Sequence, residues 1–509
     1  MQLKKCQRIG ESHYFGVVRY NFLMKKKSIL WLVLGTATSL IVYWIYRQHF
    51  LHISFVDEED YFLIGKYLIN GTKLYSTYFS HHQPGAYVIS GIIQKISEPN
   101  TIYLLVKRHR QFMALWAMIW CLFLIYKYKF RGLLAVLAIE IISVTYFKNM
   151  FLPESLVIYP LIFGVSQIFD DNFDNFWWAV CVSFVSSLLA PLWPIVLVLF
   201  LIKLWIKRKN KREVLKIILG GLIPWLILLP MLNIKNYIND AILVNLKYYI
   251  PQVDNGSWWS SVTRLISLIF AKSVDIQVVT IKAFLVILWI GVISQYKPNK
   301  TKVILMLLLI ILTDTRRQEI TKTGFDGFHG LPWTTMIIWT SVKILPKKLV
   351  FLPFLLILYM IFGFRNNNFI KRDLDTDYYV HYSQQIDIAE PIKIMKNEDS
   401  KVFVVPDKPL IYWHSQTTPP NRFVFFYKWM NNIDFMKQEV MESLDNENFD
   451  FWVYPDKNAD LPGFENYLAD NYTRLKRKGE YVNLYVKQGI IDGLSEEQRA
   501  KLSFYNYEY

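Results

Sequence analysis

Apolar residues fall in blocks along the first 363 residues, at 28–46, 109–126, 132–147, 154–169, 176–190, 191–206, 213–230, 278–295, 302–313, 331–345 and 349–363. A helix of about 19 residues rises roughly 28 Å, close to the hydrocarbon thickness of a bilayer. Each block therefore predicts a membrane-spanning helix, eleven in all, the shorter ones needing tilt or local thinning. Gly85–Ser97 is also apolar but too short to span, and suits an interfacial or re-entrant helix. Beyond residue 363 the pattern changes. Lys401–Val405, Phe449–Tyr454 and Tyr481–Val486 read as buried strands, with a helix over Asn432–Leu444. The predicted fold is mostly α: a polytopic transmembrane bundle over 28–363, after a polar segment 1–27 and before a small α/β domain over 364–509.

Charge orients the bundle. Residues 366–509 hold 17 basic and 23 acidic side chains against 57 and 41 in the whole chain, so the surplus of base lies among the apolar blocks. Lys25–Lys27, Lys127–Arg131, Lys203–Arg212, Lys297–Lys302 and Lys347-Lys348 all thread to one side. That is the positive-inside pattern, N-terminus in and C-terminal domain out; Asp170–Asp174 dissents, but acids carry little weight in the rule. The formal +16 is thus accounted for by cytoplasmic loops rather than by nucleic acid. The outside receives 47–108, 148–153, 231–277, 314–330 and the tail. The first block lacks a small-residue cleavage site and reads as a retained anchor, with Met24 as a second candidate start. Cys6, Cys121 and Cys181 make neither a disulfide framework nor a cysteine metal site. No Walker loop, dinucleotide fingerprint, zincin motif or nucleophile elbow occurs.

The candidate chemistry lies in the first outside loop. Asp57-Glu58-Glu59-Asp60-Tyr61 places four carboxylates in a row just beyond the anchor, and Phe79-Ser80-His81-His82-Gln83-Pro84-Gly85 follows. Acids favour a helix start through the macrodipole, yet clustered acids beside a low dielectric also raise one another's pKa toward useful basicity. Together with Leu68-Ile69-Asn70-Gly71-Thr72-Lys73-Leu74-Tyr75, this ordered set resembles the first loop of the C-type (GT-C) glycosyltransferases, which include protein O-mannosyltransferases and aminoarabinose transferases. The resemblance is close in this loop and extends over 28–330 in topology alone.

That resemblance implies a multi-pass cell-membrane enzyme that takes a sugar from a polyprenyl-phosphate carrier to an acceptor hydroxyl outside the cytoplasm, with inversion. The family's acidic general base carries over onto Asp57, with Glu58 as competitor; transfer to a hydroxyl needs such a base within hydrogen-bond reach. Glu154, opening the fourth span, is the second expected acid and would bind substrate, although Pro-Glu is equally an ordinary helix start. The carrier phosphate calls for cations: His81, His82, Arg110, Arg316 and Arg317, with Lys148 nearby and His329 in Phe328-His329-Gly330-Leu331-Pro332. Trp258-Trp259 would stack on a sugar or join an aromatic belt. No cofactor is firmly implied; a divalent cation on the Asp57–Glu154 pair is compatible with hard oxygen ligands. Expected partners are the donor lipid, an unidentified hydroxyl acceptor and membrane lipids. The competing class is a lipid or small-solute transporter using the interfacial acids as ion sites; a non-catalytic assembly protein is the third.

Overall fold

The structure, a computed structural model, describes residues 29–47, 55–170, 172–253, 258–273, 275–314, 327–365, 374–404, 408–424, 430–446, 449–453, 468 and 470–509. Every apolar block forms helix. The first half contains α1 (Ile29–Arg47), α2 (Val56–Ile69), α3 (Pro84–Ser97), α4 (Ile102–Ser143), α5 (Pro153–Asp170), α6 (Asn175–Leu188), α7 (Trp193–Lys207) and α8 (Lys211–Leu228). A succession of Ile234–Tyr237, a π-wound Ile238–Tyr249 and Ile250–Val253 makes α9. Then come α10 (Trp258–Phe270), α11 (Ile276–Ile311), α12 (Leu331–Ile344) and α13 (Phe351–Arg365). Among the described residues four helical stretches, against the eleven spans expected, are long and apolar enough to cross a membrane: Ile29–Arg47, Ala190–Lys207, Lys211–Met231 and Ile276–Ile311. Phe328–Ile344 and Lys347–Gly363, bent by 119°, make a fifth if taken together.

Two of the expected loops are single-residue breaks. Lys129 (φ 57°, ψ −134°) interrupts α4, and Asn299, after Pro298, interrupts α11. At Lys129 the chain turns back on itself, because Cys121 Sγ lies 3.4 Å from Glu140 Oε1 across the break. A Cβ on Gly132 would likewise run into the Leu124 carbonyl. Residues of both breaks, Arg131 with Asn299 and Lys302, thus meet at one end of the bundle.

The tail begins with α14 (Leu374–Met395) and α15 (Leu410–Ser415), and α16 (Asp434–Asn446) follows β1. Strands β1 (Val402–Val404), β2 (Phe451–Val453), β3 (Tyr472–Arg477), β4 (Glu480–Lys487) and β5 (Tyr507–Glu508) form one sheet in the order β1-β2-β4-β3-β5. Only β1 and β2 are parallel. The sheet is larger than the three strands expected. Strand β3, Tyr-Thr-Arg-Leu-Lys-Arg, is too cationic to read as buried, yet it pairs with β4 through a hairpin whose Lys478 and Gly479 both take positive φ, as a tight type I′ turn requires. The helices α17 (Gln488–Asp492) and α18 (Glu496–Phe504) complete the tail.

What positions the site is the crossing of α2 and α3. A Cβ on Gly65 would sit 2.7 Å from Ser90 Oγ and 2.9 Å from the Gly91 nitrogen, so two glycines let these backbones touch. The side chains of α2 that flank this crossing are buried on nearly every side, Glu58 to Ile64 included. Helix α3 keeps Ile92 and Ile96 exposed, the apolar outer face expected of a helix lying at a membrane surface.

Candidate functional site

Successive residues of a helix point about 100° apart. The four consecutive acids of α2 therefore aim in different directions, and the structure gives three of them separate partners. Glu58 and Arg110 are both fully buried and pair through Oε2 and Nη2 at 2.5 Å, while the Phe151 N–H donates to Glu58 Oε1 at 2.6 Å. Glu59, also fully buried, accepts from His381 Nε2 at 3.0 Å and from Gln385 Nε2 at 3.0 Å, both on α14. Asp60 accepts from the Tyr87 hydroxyl at 2.7 Å, and its Oδ1 makes no hydrogen bond. Burial, strengthened by the Asp57 charge and only partly offset by Tyr87, pushes the Asp60 carboxyl up to about 7.

Asp57, Asp60 and Tyr61 are spaced i, i+3, i+4 and share one face. Asp57 is only partly buried in the first turn, whereas Glu58 and Glu59 turn away to their partners. Burial, followed by the carboxylates of Glu154, Asp57 and Asp60, pushes the Tyr61 phenol well above its ordinary value. Three acids from two segments therefore lie near enough to act on one phenol.

An apolar knot explains why distant segments meet here. Phe147, Met150, Leu152 and Phe328 form a buried cluster against Phe55, whose ring lies 5.2 Å from that of Phe328. From this knot Asp57 follows Phe55 by two residues, Glu154 follows Leu152 by two, and His329 adjoins Phe328. Glu154, 4% exposed, meets His329 Nδ1 through Oε1 at 2.6 Å. His82 completes the wall: its ring centroid is 5.4 Å from that of Tyr61 and 4.0 Å from that of His81, and it acts electrostatically on Glu154. The turn carrying both histidines is pinned through its backbone. The Tyr75 hydroxyl donates to the His82 carbonyl at 2.6 Å, and Asn245 Nδ2 to the His81 carbonyl at 2.6 Å.

No family model matches the chain, and no curated protein matches it. Among solved structures, the chain is similar to the crystal structure of ArnT from Cupriavidus metallidurans bound to undecaprenyl phosphate, with a TM-score of 0.57 and 11% identity, over 89% of this chain and 97% of that one. The chain has the GT-C polytopic glycosyltransferase fold. At this identity the likeness carries the fold alone, and the roles of individual residues rest on the geometry above.

Within the GT-C fold, the expected residues separate into two sets. Asp57, Glu154 and His82 gather at Tyr61, His329 joins through Glu154, and the His81 ring packs at a tilt against that of His82. Arg110, expected at the phosphate, is instead fully buried behind α2 and holds Glu58, which leaves neither of that pair on the Tyr61 face. Arg316 and Arg317 lie outside the described residues, as does the Trp258 side chain; Trp259 is 74% exposed on α10. Lys148 is buried in an ion pair with Glu140 and donates to the Tyr159 hydroxyl at 2.7 Å, with Tyr46 and Cys121 also reaching Glu140. Glu140 was missed by the sequence reading, although a lone acid inside Ala138-Ile139-Glu140-Ile141-Ile142 is itself a signal, since ionisable groups in such blocks need partners. Tyr87 was missed too, and no local pattern marks it: its partner Asp60 lies 27 residues away. Among the described residues no group of three or more His, Cys, Asp or Glu side chains is placed to hold a metal ion.

The tail is bound to this loop at several points. Tyr67 donates to the Thr417 carbonyl at 2.9 Å, Trp413 Nε1 to Gln94 Oε1 at 2.9 Å, and the Phe79 N–H to the Arg422 carbonyl at 2.6 Å. Arg422 also pairs with Asp240 of α9 at 2.8 Å. The tail thus forms one wall of the GT-C loop rather than a separate appendage.

Proposed function

We propose that this chain is a membrane glycosyltransferase that moves a sugar from a polyprenyl-phosphate carrier to an acceptor hydroxyl on the extracytoplasmic side, with inversion. The observation that carries the reading is the gathering of Asp57, Asp60, Glu154 and His82 at Tyr61, with His329 held on Glu154, at the end of a GT-C bundle. The solved neighbour's undecaprenyl phosphate supports a donor of that class.

The acceptor oxygen attacks the anomeric carbon from the face opposite the phosphate, and the carbon–oxygen bond to the carrier phosphate breaks. The acceptor proton passes to Asp57, the partly buried acid of the set, and polyprenyl phosphate leaves. A phosphate is a good leaving group, so the cations matter for binding and charge more than for protonation. His82 and His81 hold that phosphate, with Arg316 and Arg317. Glu154, oriented by His329, holds the sugar or acceptor. Asp60, with its carboxyl pushed up to about 7, is about half protonated at neutral pH and so sets less than a full second negative charge beside Asp57. Glu58 and Glu59 serve the architecture.

The test is sugar transfer by purified protein offered a panel of polyprenyl-phosphate sugars. Asp57→Asn should lower the rate by about 10²–10⁴, the usual worth of a general base, while thermal stability in detergent holds. Glu154→Gln should also lower it, chiefly through substrate affinity. Transfer unaffected by both substitutions would overturn the assignment.

A further inference from the structure

A second polar site lies at the other end of the bundle. Helix α5 starts at Glu154 and ends at Asp170, and α12, which follows His329, ends beside Lys343. An 18-residue helix such as α5 is about 27 Å long, so Asp170 and Lys343 stand a bilayer's depth from the Tyr61 site. There the break of α4, the break of α11 and the ends of α5 and α12 enclose a cavity of about 390 Å³. Its lining includes Arg131, Lys302, Lys343 and Lys347 against one carboxylate among the described residues, Asp170.

Two of the four cations are held in place rather than merely nearby. Arg131 donates through Nη2 to the Leu345 carbonyl at 2.7 Å and through Nη1 to the Lys343 carbonyl, which clamps the end of α12 to the break in α4. Lys343 pairs with Asp170 at 2.5 Å, and its Nζ lies 4.9 Å from the centroid of the Tyr128 ring. Lys302 and Lys347 add two further positive charges to the lining. Like charges gathered beside low dielectric repel, and a bound anion relieves that repulsion. Gln295 and Asn299 add amide donors, while Val303, Met306, Val342 and Ile344 give an apolar wall. Basic pockets between membrane helices at this depth take acidic lipid headgroups.

We infer that this cavity binds a phosphate-bearing group, carried on an anionic phospholipid or as free phosphate or pyrophosphate. The site is distinct from the Tyr61 centre and does not depend on the reaction proposed there. The double variant Lys302→Gln/Lys347→Gln removes two of its cations and leaves the Arg131 clamp and the Lys343–Asp170 pair intact, so the bundle should fold. Native mass spectrometry of full-length detergent-solubilised protein, titrated with phosphatidylglycerol, phosphatidylcholine or pyrophosphate, reads the binding. Wild type should retain phosphatidylglycerol at least tenfold better than phosphatidylcholine, and the double variant should lose most of that preference. If pyrophosphate binds the wild type and competes with phosphatidylglycerol, or binds in its place, and the variant loses it, the site recognises the phosphate alone. Equal binding of anionic ligands by both proteins, or no preference in the wild type, would overturn the inference.

Discussion

At the residue scale, four carboxylates adjacent in sequence do three different jobs because a helix separates them. Glu58 and Glu59 are fully buried and satisfied by Arg110 and by His381 with Gln385. Stranding either charge would be costly, since removing one partner of a buried pair typically costs about 3–5 kcal/mol. Asp57 and Asp60 share the Tyr61 face, and Asp60 has a pH signature. An unfolded aspartate loses its proton near pH 4, whereas folded Asp60 keeps it to about 7. Between those values the folded state binds more protons than the unfolded one. Stability should therefore be highest near pH 4 on this account, fall as pH rises toward 7, and level off above it. Thermal unfolding of detergent-purified protein from pH 4.5 to 8, an interval set by about those two values, should show this slope in the wild type and a flatter profile in Asp60→Asn; equal slopes would show that Asp60 titrates normally. The acid run was plain in the sequence. Which acid faces the site was not, because that depends on helix phase relative to Arg110 and α14, contacts 52 and 322 residues away.

At the element scale, the apolar blocks marked where helix forms in the bundle because an apolar run is written locally, but they missed α2, α9, α10 and α14, whose mixed composition hides them. The reversals at Lys129 and Asn299 were read as loops, since a run of basic residues looks the same whether it spans five residues or one break. Strand β3 was hidden by its own charges. The crossing of α2 and α3 was also hidden, because a glycine in a helix signals close approach only once its neighbour is known. That crossing makes a prediction against local propensity. Alanine favours a helix over glycine by about 1 kcal/mol, so in isolation Gly65→Ala would stabilise α2. Here the added Cβ meets Ser90 and Gly91 within 3 Å, and overpacking of this kind costs about 1–3 kcal/mol. Gly65→Ala should lower the melting temperature, and it should reduce transfer as well, because Tyr87 and Ser90 ride on the helix that must move. A variant as stable and active as the wild type would mean that the two helices part without consequence.

At the scale of the whole molecule, the question is whether the tail recognises the acceptor or builds the site. An independent recognition domain would touch the loop lightly, and its loss would spare the chemistry. The contacts are of the other kind. Helix α14 supplies both partners of the fully buried Glu59. Trp413 holds Gln94, which in turn donates to the Phe62 carbonyl at 2.7 Å, so the tail reaches the backbone of α2 through one intermediate. Arg422 spans Asp240 and the Phe79 ring next to the histidine turn. A chain ended after Arg365 would leave the Glu59 carboxylate without partners in a site that must stay ordered. Such a truncated protein should therefore lose not only transfer to the acceptor but also slow release of the sugar to water, which needs the donor site alone. Measuring donor hydrolysis without acceptor separates the two cases. Hydrolysis preserved at the full-length rate would assign the tail to acceptor recognition, and hydrolysis lost along with transfer would place it among the walls of the site, as the bonds to α2 and α3 require.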